Sequence, residues 1–200
     1  MIQRKFLNVG GANKRGELPP HFAGMQHHLL DILPGPDVDL CSDARLLTEQ
    51  PRADYDALFC SHNLEHYYEH EIPQVLAGFK HMLSPTGFVH IIVPNLQQAM
   101  GHMAVRMAEP DAVLYLSSAG PVRYLDLIFG HSPQIARKGE PYAHKFGFSP
   151  KLLKKVLKAA GFEWRKVVAM TDLVEIHAFA TVSPQPAAWI RECLQLSEND

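Results

Sequence analysis

The stretch DALFCSHNLEHYYEHEIPQVLAGFKHMLSPTGFVHIIVPN, residues 56–95, holds two apolar runs around one amphipathic segment. Asp56–Ser61 is short and apolar, as a strand buried on both faces is. Phe88–Val93 is a second such run, rich in β-branched residues. Between them Ile72, Val75, Leu76, Phe79 and Leu83 recur at helical spacing. They predict a helix over His66–Leu83, with Pro73 in its first turn and a turn at Ser84–Gly87. Two buried strands joined by a helix make a parallel crossover, so a mostly parallel sheet covered on both faces is expected.

The alternation continues on either side. Phe6–Val9 reads as a short strand ending in Gly10–Gly11, Leu29–Leu33 as a second and Val38–Cys41 as a third, very short one. Gly16, Pro19, Pro20 and Gly24 allow only a short or broken helix between the first two. Arg45–Gln50 fits a single turn. Further on, Ser149 and Pro150 form a helix start, and Gly161 marks the end of that helix. Phe162–Met170 and Val174–Val182 are expected as closing strands, near enough in sequence to pair antiparallel. Residues 95–143 show no strand rhythm and read as helical segments broken at Pro110, Gly120–Pro121 and Gly130. The expected architecture is one α/β domain over residues 1–182, with a Rossmann-like sheet of about seven strands. Residues 95–143 would be a helical insertion after the fifth strand, and 183–200 a polar tail.

Composition narrows the function. The 200 residues are 46% hydrophobic and 20% charged, ordinary soluble usage. A formal net charge of -2 provides no field for nucleic acid or anionic lipid, so a DNA partner is not expected. Lys151, Lys154, Lys155 and Lys158 fall at helical spacing and read as a solvated face. No apolar run approaches the roughly 20 residues that span a membrane. MIQRKFLNVGG reaches its glycine pair too soon for a signal peptide. Cys41, Cys60 and Cys193 have neither metal-knuckle nor redox spacing; Cys41 and Cys60 are expected as buried thiols in a cytoplasmic protein. Oligomeric state is not legible in the sequence.

Ligands of parallel sheets bind beyond the carboxyl ends of the strands. Gly10, Gly11, Asn13, Asp31, Asp43, Ala44, Ser61, His62, Glu65, His66, Pro94 and Asn95 fall there. Two glycines let the backbone approach a ligand closely. Asp31 suits a ribose diol or the cap of a turn before Pro34; Asp43 suits an adenine amino group or the cap of the next turn. Neither G-x-G-x-x-G nor a phosphate loop is present, which argues against NAD, FAD and ATP. His62, Glu65 and His66 share one helical face and match the H-x-x-E-H spacing of some metalloproteases. That reading fails because the motif follows a buried strand and no further zinc ligand is identifiable. A general base, or caps for the following helix, are the surviving readings.

In order, LNVGG (7–11), LDI (30–32), SDA (42–44), FCSHNLEH (59–66) and MLSPTGFVHIIVPNL (82–96) resemble the class I S-adenosylmethionine-dependent methyltransferases. The likeness is greatest to a small bacterial branch with S-H-x-L-E-H after the fourth strand, and it resumes at HKFGFSPKLLKKVLKAAGF (144–162). It implies S-adenosyl-L-methionine as cofactor. Gly10 and Gly11 would lie along its amino-acid portion, Asp31 at the ribose, Asp43 and Ala44 at the adenine, and Ser61 and His62 near the methionine part, with Asn13 and Ile32 also among the cofactor-binding residues. The glycine loop departs from the family's G-x-G, the helix after the first strand is short, and no capping segment is expected before that strand. Methyl transfer to a small-molecule or glycan acceptor follows, with His62, His66 or His144 taking the proton of a hydroxyl. The alternative is a non-catalytic protein of the same fold that binds a nucleoside or a partner chain. Small-RNA 2′-O-methyltransferases carry an acid and then Glu-His after the fourth strand, with a later histidine. His62, Glu65, His66 and His144 are similar except at His62, which implies a divalent metal as a lesser reading beside the general base. Tyr115, Arg123, Tyr124 and His131 are expected to wall the acceptor site as part of a lid, with His144 just beyond.

Overall fold

Seven strands form one sheet in the computed structural model, which describes residues 3–117, 120–170 and 174–183. They are β1 (Lys5–Val9), β2 (Gln26–Asp31), β3 (Leu40–Cys41), β4 (Tyr55–Ser61), β5 (Leu83–Pro94), β8 (Trp164–Met170) and β9 (Glu175–Thr181). A separate hairpin pairs β6 (Val113–Ser117) with β7 (Gly120–Arg123). The sheet order is β3-β2-β1-β4-β5-β9-β8. Pairings from β3 through β5 are parallel, and β9 runs antiparallel to both β5 and β8. The chain winds outward from β1 to β3 and then returns to β4 on the other side of β1. The carboxyl ends of β1 and β4 therefore flank the switch point, where a crevice opens.

Period-two alternation divides the core. Leu7, Val9, Leu58, Cys60, Val89 and Ile91 point to one face. Helices α1 (Ile72–Met82) and α5 (Pro150–Ala159) cover that face with Val75, Leu76, Phe79, Leu153 and Leu157. Phe6, Ala57, Phe59, Phe88, Ile92 and Phe179 point to the other face, where Phe22 of a short 3-10 turn (Pro20–Phe22) covers them. Ser149 caps α5 by accepting from the Leu152 N–H, and Gly161 takes φ +77° past its end, as expected.

Several elements differ from expectation. Helix α1 starts at Ile72, not His66, because Pro73 is tolerated only in a first turn. Residues 64–66 form a 3-10 turn instead. Strand β5 extends back to Leu83 through the segment expected as a turn. Its register shifts opposite Tyr55 and Ala57, and a Cβ on Gly87 would lie 2.8 Å from the Tyr55 carbonyl. Cys41 is exposed, because β3 is a two-residue edge strand; Cys60 is buried as expected. The insertion is not wholly helical. It holds α2 (Leu96–Arg106), α3 (Tyr124–Phe129) and α4 (Ser132–Lys138), but also the β6–β7 hairpin. Gly120–Pro121, expected to break a helix, lies in β7, where a two-stranded hairpin tolerates proline. The expected polar tail beyond Ser183, with Cys193, lies outside the described residues. Among the described residues, no helix is long and apolar enough to cross a membrane.

Candidate active site

A cavity of about 740 Å³ opens over the carboxyl ends of β1, β2 and β4. Gly10, Gly11, Asn13, Asp31, Ile32, Asp43, Ser61, His62, His66 and His144 all line it; Ala44 is buried behind the wall. The glycines are required by space. A Cβ on Gly10, at φ +74°, would lie 2.1 Å from Asn63 Nδ2, and one on Gly11 would lie 2.3 Å from Asn8 Nδ2. Asp31 is buried and accepts from the Ala12 N–H (3.2 Å) and the Leu33 N–H (2.9 Å). It thus shapes the glycine loop and the next turn. Each of its oxygens keeps a lone pair for a ligand. Ile32 beside it is half exposed, an apolar surface within the cavity.

Asp43 caps the turn Ala44–Glu49 through the Arg45 N–H (2.9 Å). The Arg45 guanidinium also grips both its oxygens and reaches Glu71. Burial pushes the Asp43 carboxyl up, but the bonds from Arg45 outweigh this and hold it below the usual range. The capping reading of Asp43 is therefore realised, and an adenine would have to share this carboxylate with Arg45.

Glu65, His66 and His144 converge on one point. Their candidate ligand atoms all lie within 4.8 Å of one another. The 3-10 turn after β4 delivers Glu65 and His66. The Glu65 carbonyl then accepts from the Lys145 and Phe146 N–H groups (2.8 and 3.1 Å), which pins His144 alongside. His66 Nδ1–H donates to the Ala143 carbonyl and His144 Nδ1–H to the Leu127 carbonyl, each at 3.0 Å. Both rings thereby keep Nε2 as the open nitrogen. Burial keeps the His144 pKa below its ordinary value despite the nearby Glu65 carboxylate, so its Nε2 lone pair is free at neutral pH. Glu65 is 1% exposed, and neither carboxylate oxygen has a hydrogen-bond partner.

His62 takes a different part from the one expected. Its N–H bonds to the Ile92 carbonyl (2.9 Å), and its Nε2 lies 3.0 Å from Glu175 Oε1. Its Nδ1 lies 3.6 Å from Glu65 Oε1, an ion-pair distance. Burial works against the charged ring, but the two carboxylates outweigh it and raise the pKa to about 10. An imidazolium offers no lone pair, so His62 does not suit the base role expected of it. Glu175 was not legible as a site residue, because only the β5–β9 register, with Glu175 opposite Pro94, brings it to this edge.

No protein-family profile and no curated protein matches the chain. Solved structures do. A SAM-dependent methyltransferase from Archaeoglobus fulgidus superposes with TM-score 0.55 at 17% identity, covering 89% of this chain and 86% of that one. A DhpI–SAH complex gives 0.54 at 17% identity, covering 92% and 78%. A Burkholderia thailandensis 1,6-didemethyltoxoflavin-N1-methyltransferase, with 1,6-didemethyltoxoflavin and S-adenosylhomocysteine bound, gives 0.51 at 16% identity, covering 89% and 71%. The chain has the class I S-adenosylmethionine-dependent methyltransferase fold. On this methyltransferase fold the insertion after β5 lies over the cavity, to which Tyr115 and His131 contribute. Arg123 and Tyr124, expected beside them, do not line it. Arg123 is bonded to Asp126 at 2.9–3.0 Å, and Tyr124 is buried against Ala99, Leu127 and Val174. Both hold the insertion together.

Proposed function

We propose that the protein is an S-adenosylmethionine-dependent methyltransferase acting on a hydroxyl of a small-molecule or glycan acceptor. The observation that carries this is the Glu65–His66–His144 cluster, with two open Nε2 atoms at the wall of a cavity whose floor is the Gly10–Gly11 loop and Asp31. The residues fit the cofactor: a glycine loop whose backbone lines the cavity, a carboxylate with spare lone pairs and an apolar ledge at Ile32. When bound, S-adenosylmethionine supplies an electrophilic methyl group. Nε2 of His66 or His144 would take the proton of an acceptor hydroxyl placed against that methyl group. The cavity's larger contribution is alignment and exclusion of water, to which Tyr115, Ser117 and Val122 of the hairpin contribute as walls. A non-catalytic binder of a nucleoside or partner chain would have no use for two anchored imidazoles facing its ligand. Calorimetry with S-adenosylmethionine and S-adenosylhomocysteine tests the reading: saturable binding of both is expected, and binding of neither overturns it.

One observation supports a second reading. Neither Glu65 oxygen has a hydrogen-bond partner, and a backbone carbonyl engages Nδ1 of each ring, leaving Nε2 toward the cluster. A divalent cation would take lone pairs from all three side chains, and the carbonyls behind each ring orient the rings as ligands require. Protein stripped with a chelator and titrated with Mn(II) decides it. Stoichiometric binding that His144→Ala abolishes supports the metal; no binding leaves the general-base reading alone.

A further inference from the structure

The cations that line the cavity are matched by carboxylates, with one exception. Arg45 is held by Asp43 and Glu71, His62 by Glu175, and Lys145 by Glu140 at 2.8 Å. Lys138 lines the cavity as well, and among the described residues it has no carboxylate partner. It shares one face of α4 with Gln134, which also lines the cavity; Arg137 beside it does not. The carboxylates that the insertion brings to the cavity are already taken, Asp126 by Arg123 and Glu140 by Lys145. Glu17 and Asp31 belong to the other side, to the loop after β1 and the end of β2.

Lys138 is held in place. Its Nζ donates to the Tyr142 hydroxyl (3.4 Å) and lies 4.7 Å from the centre of the Tyr142 ring, which the 3-10 turn Glu140–Tyr142 presents. The Tyr142 ring meets the His66 ring edge-on with centroids 6.4 Å apart, and His66 meets His144 likewise at 5.0 Å. Lysine, tyrosine and the two histidines thus form one continuous row along the cavity wall. The outer end of that row is chemically one-sided. An ammonium only donates, and a tyrosine hydroxyl that accepts from it still has its own proton to give. The pair calls for a ligand group that accepts and carries negative charge. A neutral hydroxyl would satisfy the bonds and leave the charge unmatched.

We propose that the methyl acceptor is anionic, with Lys138 and the Tyr142 hydroxyl holding its carboxylate or phosphate while a hydroxyl of the same molecule reaches His66 Nε2. This rests on the methyltransferase reading above. The intact protein is first saturated with S-adenosylhomocysteine, followed by calorimetry. A protein that does not bind it overturns the methyltransferase reading, and the acceptor assignment falls with it. Three sugars are then titrated by ligand-observed NMR: methyl β-D-glucuronide, glucose 6-phosphate and the neutral methyl β-D-glucoside. At least one anionic sugar should bind about tenfold more tightly than the glucoside, the scale of a hydrogen bond to a charged group, and which one does so separates carboxylate from phosphate. Lys138→Gln should bring that sugar to within about twofold of the glucoside, and Lys138→Arg should keep the preference. Both variants should bind S-adenosylhomocysteine as the wild type does. Lys155→Gln removes the same charge from the exposed face of α5 and should change nothing. Equal binding of all three sugars, binding of none, a preference that survives Lys138→Gln, or an equal loss in Lys155→Gln overturns the acceptor assignment alone.

Discussion

Glu175 Oε1 lies 3.0 Å from His62 Nε2, tying the antiparallel strand β9 to the loop that leaves β4. The tie holds His62 in a left-handed backbone conformation, φ +48°, which costs an L-residue on the order of 1 kcal/mol. It also holds the ring charged, with its pKa raised to about 10. Between pH 6.5 and about 10 the folded protein thus keeps a proton that the unfolded chain releases. This stabilisation is fully present below pH 6.5 and is lost as pH rises toward about 10. Solvent screens the pair, since 43% of the His62 side chain is exposed. Glu175→Gln should lower the His62 pKa, read by NMR titration of the ring, and flatten the alkaline fall in melting temperature. An unchanged His62 titration would mean that Glu65 alone sets the charge.

A second histidine titrates in the opposite sense. His90 is 1% exposed, stacks on Phe179 with ring centroids 4.1 Å apart, and shares a 3.1 Å hydrogen bond with His177. Burial, with His177 and His21 adding to it, holds its pKa well below 6.5. Below pH 6.5 the unfolded chain binds a proton that the folded chain refuses, so stability falls as pH falls. The slope from this group approaches about 1.4 kcal/mol per pH unit. Urea denaturation of wild type and His90→Gln between about pH 7.5 and pH 5 measures it. The variant should lose less stability on acidification; identical slopes would exclude His90 as the source.

These two histidines show what the sequence could and could not convey. The apolar runs were enough to place β1, β2, β4, β5, β8 and β9; burial on both faces leaves that compositional mark most clearly on β1, β4 and β5. Residues just after strands were legible as well, since the switch-point rule needs only strand ends, and Gly10, Asp31, Ser61 and His62 do line the cavity. Contacts across β5 and β9 were not legible. Whether Glu175 faces His62 or the opposite side depends on a one-residue choice of register. Local signals also failed where tertiary packing decides. Gly120–Pro121 reads as a breaker until it has a partner strand, and Cys41 reads as buried until β3 proves to be an edge.

Asp31 both braces two turns and faces the cavity. Its carboxylate accepts from Ala12 and Leu33 while lining the cavity. Asp31→Ala should therefore weaken cofactor binding by about 1–3 kcal/mol and also lower the melting temperature, since two backbone N–H groups lose their acceptor. Asp31→Asn should recover much of the stability but less of the affinity, because an amide presents a single acceptor oxygen. Calorimetry and melting on the same samples separate the two effects. Full affinity in a folded Asp31→Ala protein would remove the ribose assignment.

The insertion supplies the last prediction. Tyr124 is 3% exposed and packs with Ala99, Leu127 and Val174. Tyr124→Ala should cost about 3 kcal/mol, the scale of truncating a buried aromatic ring. Arg123 acts differently. It bonds through Nε and a terminal nitrogen to the buried Asp126, which itself lines the cavity and also receives the Arg123 and Ser132 N–H groups. Its removal leaves that carboxylate with backbone donors only, so Arg123→Ala should loosen the N-terminus of α3 more than it alters the remainder of the fold. Neither residue touches the glycine loop or Asp31, so S-adenosylhomocysteine affinity should stay near the wild-type value in both variants. Melting temperature, hydrogen exchange across 113–131 and calorimetry together settle the point. A normal melt and normal exchange with impaired methyl transfer would return Arg123 to the acceptor site, whereas loss of stability with intact cofactor binding confirms that the pair builds the cover over the cavity rather than its lining.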